Sequence, residues 1–301
     1  MERINFKHSV IFFNFCILIS AFYFIVNFEP ITFCLFLILI LGISHGALDN
    51  IKGKKLFKLF GYKSNIYFYL IYILISILII LSWLVFPNTV LFIFLVVASY
   101  HFGKEDTVFS FKRKFLISEF LFFLKGSSII LVPLLLKRTE TIEIFRILNF
   151  NVFETSFFSN QFLVIILFFS FVSSLYISLG KNTNLIGIMI MDFFSLFILN
   201  FFLTPILAFT LYFCFLHSIR HSIKLIFELD KSFKAGLRKF ISKAIPLTLV
   251  TGVIFLLSIF FLNNFYKLDE AIYKVIFIGL ASLTFPHILL EYLLEKNEKR
   301  T

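Results

Sequence analysis

Six histidines occur in the 301-residue chain, and five of them stand at the ends of long apolar runs. His45 lies in Gly-Ile-Ser-His-Gly-Ala-Leu-Asp, His101 in Ser-Tyr-His-Phe-Gly-Lys-Glu-Asp, and His287 in Phe-Pro-His-Ile-Leu-Leu-Glu. His217 and His221 share the segment Leu-His-Ser-Ile-Arg-His-Ser. A separation of four places both rings on one face of a helix about a turn apart, as two ligands of one metal require. His45 and His101, on neighbouring helices, complete a four-imidazole cage. Imidazole suits Fe, Cu, Zn and Ni, so residue type alone leaves the metal open.

Such a neutral ligand set makes nearby acids matter. Asp49 follows His45 by four, Glu105 and Asp106 follow His101 by four and five, and Glu291 follows His287 by four. A carboxylate that accepts the free ring N–H fixes the tautomer and strengthens the ligand. Asp49 and Asp106 are read either in this role or as interfacial charges; Glu105 and Glu291 are read as helix-end charges. His287, after Pro286, is a fifth ligand, a hydrogen-bonding neighbour of the ligands, or a wall of the substrate channel. His8 precedes the first apolar run and is expected among headgroups. Asp192 and Lys125 fall near mid-span, where a charge must pair or face a cavity, and they are expected to pair with each other. Arg220 snorkels to headgroups or holds Asp49 or Asp106. Gly42, Gly46 and Gly103 allow close approach of helices or a ligand.

The elements that position these residues are set by composition. The chain is 60% hydrophobic and 15% charged, with a mean hydropathy of +0.98. That excludes a soluble two-domain protein and a disordered one. The three cysteines, all in apolar runs, exclude a disulfide scaffold. A crossing helix needs about 20 apolar residues. The pattern predicts an all-α transmembrane bundle of about ten spans, with a range of eight to ten, at 9–27, 31–49, 65–86, 88–103, 115–136, 161–179, 185–203, 205–223, 244–262 and 271–292. One integral membrane domain over 1–301 is expected, with the segments 137–160 and 224–243 too short and polar to fold alone. The net charge is +11, and most of the 28 Lys and Arg fall in alternate loops, which puts both termini in the cytoplasm of a multi-pass cell-membrane protein. No continuous basic face exists, so no nucleic-acid partner is expected. The 48 phenylalanines are read as packing and lipid-facing residues. The first span has no small-residue cleavage site after it and is expected to be retained. With the N-terminus inside, spans 2, 4, 8 and 10 run inward and deliver five histidines to one depth.

At these residues the sequence resembles the Brp/Blh family of bacterial and archaeal membrane-bound β-carotene 15,15′-dioxygenases. The resemblance rests on His-Gly-Ala-Leu-Asp at 45–49, His-Phe-Gly followed by Asp106, His-Ser-Ile-Arg-His at 217–221, and Pro286-His287, in the family's order. It implies that His45, His101, His217 and His221 bind Fe(2+). It further implies cleavage of the central double bond of all-trans-β-carotene by O₂, giving two all-trans-retinal molecules and an indirect link to a microbial rhodopsin. An apolar tunnel lined by Phe, Ile and Leu is expected to lead the lipid-dissolved substrate past the metal. Two other readings of the same residues are a haem-binding electron-transfer protein, marked by a Soret band, and a metal or proton transporter using Asp192.

Overall fold

The computed structural model describes residues 2–26, 31–61, 66–107, 115–150, 159–179 and 183–298, which contain helices and no strand. Lipid offers the backbone no hydrogen bonds, so apolar runs of this length close their own. In chain order the helices are α1 (Glu2–Val26), α2 (Ile31–Leu37), α3 (Asp49–Leu59), α4 (Ile66–Val85), α5 (Pro87–Glu105), α6 (Phe115–Leu136) and α7 (Arg138–Ile147). They continue with α8 (Asn160–Ser178), α9 (Thr183–Phe202), α10 (Pro205–Leu211), α11 (Ile219–Leu229), α12 (Phe233–Leu262) and α13 (Leu268–Glu298). A π-helical turn (Ile38–Gly42) and a 3₁₀ segment (Ile43–Leu48) join α2 to α3, and a second π-helical segment (Tyr212–Ser218) joins α10 to α11.

Among the described residues, eight stretches are long and apolar enough to cross a membrane: Glu2–Tyr23, Ile66–Val85, Ile117–Leu136, Asn160–Ser178, Asn184–Phe202, Pro205–Leu229, Phe233–Leu262 and Leu268–Asn297. The protein is a polytopic helical bundle within the expected range. The other two expected spans behave differently. Segment 31–49 breaks into short pieces, its apolar helix ending at Gly42. Segment 88–103 forms α5, whose last two turns turn polar with Ser99, His101, Lys104 and Glu105. The segments expected as loops also carry helix: α7 lies within 137–160, of which 151–158 are outside the described residues, and 224–243 is taken up by the end of α11 and the start of α12.

The chain forms two compact units, residues 1–38 with 95–224 and residues 39–94 with 225–301, and both α5 and α11 contribute to each. In the first unit α1 runs along α9, with Phe6 packed on Leu185, Ile188 and Met189, and α6 runs along α8. Helices α5 and α6 touch backbone to backbone. A Cβ at Gly103 would lie 1.8 Å from the Phe122 carbonyl oxygen, and one at Gly126 would lie 1.8 Å from that of Ser99. Gly103 therefore allows the close approach its position suggested. In the second unit α13 packs on α3, α4 and α12, around Leu56, Phe68, Leu290 and Leu294. The 43–48 segment lies along α12, where Leu48 joins Leu225, Ile226, Phe240 and Ala244. Helices α4 and α12 expose their apolar side chains, Leu84 to 71% and Phe260 to 78%, as lipid-facing helices do.

Candidate metal centre

In the first unit α5 ends with His101, Glu105 and Asp106, while His217 closes the π-helical segment and His221 sits one turn into α11. The His101 and His217 ring centroids are 5.3 Å apart, and both rings, with His221, are buried. His217 Nδ1 lies 2.9 Å from Asp106 Oδ1, and His221 Nδ1 lies 3.0 Å from Glu105 Oε2. An ionised carboxylate only accepts, so each Nδ1–H donates and each Nε2 keeps its lone pair. Glu105 is therefore a buried partner of a histidine and not the helix-end charge expected of it. Phe102 meets the His217 ring edge-on at 4.7 Å, and Phe213 stacks on it at 5.8 Å.

The π-helical segment has a specific effect on this site. Residues five apart on an α-helix point about 140° away from each other, whereas a π turn closes at i+5 and brings them onto one face. Tyr212 and His217 are five apart, and both reach Asp106: Tyr212 donates its hydroxyl to Oδ2 while His217 holds Oδ1. Asp106, in the turn after α5, is pushed up by burial. The facing His217 ring, with Arg220 and Lys125, outweighs that and holds its carboxyl well below the usual carboxylate range.

The buried charges beside this site pair differently from the expectation. Arg220 clamps Asp192 with Nη1 at 2.7 Å from Oδ2 and Nη2 at 3.1 Å from Oδ1. Ser9 closes the group, accepting from Nη2 and donating to Asp192 Oδ1, each at 2.8 Å. Asp192 thus pairs with Arg220 and not with Lys125, because the planar guanidinium fork matches both carboxylate oxygens. Arg220 also donates to the Asp106 backbone carbonyl at 3.4 Å. Lys125 donates at 3.4 Å to the Gly103 carbonyl and at 3.3 Å to Thr107 Oγ1. Asp106, Lys125, Asp192 and Tyr212, with Phe102, Met189 and Leu216, line a mainly apolar cavity of about 30 Å³. His8, expected among headgroups, is half-buried, with Nε2 donating to the Phe215 carbonyl at 2.9 Å in the π-helical segment.

The second unit repeats the pairing. His287 Nδ1 lies 2.9 Å from both oxygens of Asp49, and both residues are buried. The Tyr72 hydroxyl is 2.9 Å from Asp49 Oδ2 and 3.2 Å from the Leu283 carbonyl, two acceptors for one proton. Glu291 pairs with Lys52. His45 lies in the 3₁₀ segment one turn before Asp49, and its side chain is outside the described residues.

In the first unit His217 and His221 are each held by a carboxylate with His101 beside His217, and in the second unit His287 is held by Asp49. The residues the sequence did not single out are Tyr212, Tyr72 and Ser9. As a donor set the imidazoles fit a metal such as iron: Nδ1 of His217, His221 and His287 is held by an acid, which leaves Nε2 as the ligating atom. Fold and site define a multi-span, all-helical membrane protein whose inward-turned histidines are held by buried acids. The chain belongs to the beta-carotene 15,15'-dioxygenase family, whose model matches residues 36–295, a span that includes all five of these histidines. No curated protein and no solved structure matches the chain. Membership implies a dioxygenase that cleaves a carotenoid, and β-carotene fits as its substrate.

Proposed function

We propose that the protein cleaves the central 15,15′ double bond of all-trans-β-carotene with O₂ at a non-haem Fe(2+) centre held by His45, His101, His217 and His221. The products are two molecules of all-trans-retinal, a chromophore for a microbial rhodopsin. Each carbon of the broken double bond ends as an aldehyde carbonyl, and one O₂ accounts for both oxygens. The observation that carries the reading is the His101–His217–His221 group with Asp106 and Glu105 on its rings, in a chain of this family.

When bound, iron supplies the redox chemistry that lets ground-state O₂ react with an alkene. The chain's own contribution is positional. Asp106 and Glu105 hold the rings of His217 and His221 in one tautomer and one orientation. Phe102 and Phe213 keep water from the His217 ring. An apolar substrate reaches such a site from the lipid side, past helices whose outer faces are Leu, Ile and Phe. His287, on Asp49, is held in the same manner and acts as an additional ligand or orients one.

The test is expression in β-carotene-producing cells. The wild-type chain is expected to bleach them and accumulate retinal, and the purified protein to hold iron without a Soret band. His217→Ala and His221→Ala are each expected to abolish retinal formation while the protein stays in the membrane. Full activity in both variants would remove these residues from the centre, and a Soret band would replace it with haem.

A further inference from the structure

Asp106 stands between two side chains of one helical segment, His217 on Oδ1 and Tyr212 on Oδ2. A carboxylate held at one oxygen alone can rotate about its terminal bond and carry the ring it orients with it. Held at both, it has one orientation left. The phenol can reach Oδ2 because the π turn puts residues 212 and 217 on a common face; a regular α-helix would aim Tyr212 elsewhere. The same trio, tyrosine on acid on histidine, recurs in the second unit as Tyr72, Asp49 and His287, so the arrangement is not a single coincidence of packing.

We infer that Tyr212 is a positioning residue, which fixes Asp106 and through it the direction in which His217 presents Nε2. This deepens the proposed function and rests on its reading that His217 holds iron. Tyr212 reaches His217 through Asp106, one hydrogen bond further out than the acid itself. Its loss therefore acts on metal affinity and turnover and leaves substrate binding alone. In the second unit the Tyr72 proton has the Leu283 carbonyl as an alternative acceptor, so Asp49 depends less on its tyrosine.

The experiment compares the full-length protein with Tyr212→Phe, Tyr212→p-aminophenylalanine and His217→Ala in detergent, by titration with Fe(2+) against a chelator and by the visible spectrum of the Co(2+)-loaded form. Partners of metal-bound histidines contribute about 10- to 100-fold to metal affinity, and one bond further out the low end, about 10-fold, is expected for Tyr212→Phe. Its Co(2+) ligand-field bands should shift, kcat should fall and KM for β-carotene should hold. The p-amino variant keeps a donor at the ring tip and should restore affinity and bands. If Tyr212→Phe does not fold, the p-amino variant decides: wild-type bands support the inference, and displaced bands with weakened binding overturn it. Wild-type affinity and unchanged bands in Tyr212→Phe would overturn it as well. If His217→Ala binds Fe(2+) as tightly as wild type, the metal assignment itself fails; if only Tyr212→Phe is silent, that assignment stands and the role of Tyr212 is withdrawn.

Discussion

Among the described residues, Asp106, Glu105 and Asp49 each hold a histidine from a distant part of the chain. Asp106 and Glu105 follow His101 by five and four, yet they bind His217 and His221; Asp49 follows His45 by four, yet it binds His287. Spacing made the acids visible, because an acid near a histidine in an apolar run is rare. It could not assign the partners, which are set by which helices pack together. Glu105 was missed for that reason, its place at the end of α5 resembling that of any headgroup charge. Tyr212 was missed because a π turn leaves no periodic signature. Nearby, Arg220 is the counter-charge of buried Asp192, and Arg220→Met should cost about 3–5 kcal/mol by leaving that carboxylate unpaired. Thermal unfolding in detergent checks this, and the double variant Arg220→Met/Asp192→Leu should recover most of the loss, since it removes the stranded charge along with its partner.

At the scale of the elements, the histidine-bearing end of α5 is held in place by its contact with α6. A methyl group at Gly126 would enter the Ser99 backbone, and only separation of the two helices relieves it. Gly126→Ala should therefore move His101, Glu105 and Asp106 together and sharply reduce retinal formation. Gly252 on α12 has open space around its Cα, and Gly252→Ala should raise stability by about 0.5–1 kcal/mol with activity unchanged. Melting temperature and retinal yield measured on both variants separate the two cases. The length and apolarity of the spans made most helices legible in the sequence. The exceptions are also physical. Segment 31–49 leaves the regular helix at Ile38, passing through a π turn and a 3₁₀ segment to Leu48, and 88–103 is polar at one end because that end carries part of the candidate site.

For the whole molecule, an even number of crossings, whether the eight candidate stretches among the described residues or ten, would put the two ends of the chain on the same side of the membrane. The Lys and Arg pattern read over ten spans predicts that this side is the cytoplasm. Reporter domains fused separately to the N- and C-terminus should both read cytoplasmic, and a split result would show that an odd number of segments cross. Helices α4 and α12, whose side chains face outward along most of their length, should be the most heavily labelled by a lipid-dissolved photoreactive probe.

The widened turns at Tyr212–Ser218 carry one residue more than a regular helix would need over the same rise. Excising a single residue such as Phe215 should let the ordinary i→i+4 ladder run unbroken from Pro205 to Leu229, and the shortened protein should resist heat at least as well as its parent. The helix before and after the cut should keep its facing, because a π turn absorbs its extra residue without turning the flanks, so the change is confined to the directions of the side chains from Tyr212 to Ser218. An inserted residue of this kind re-aims one turn of a membrane helix and leaves the rest of the bundle as it was.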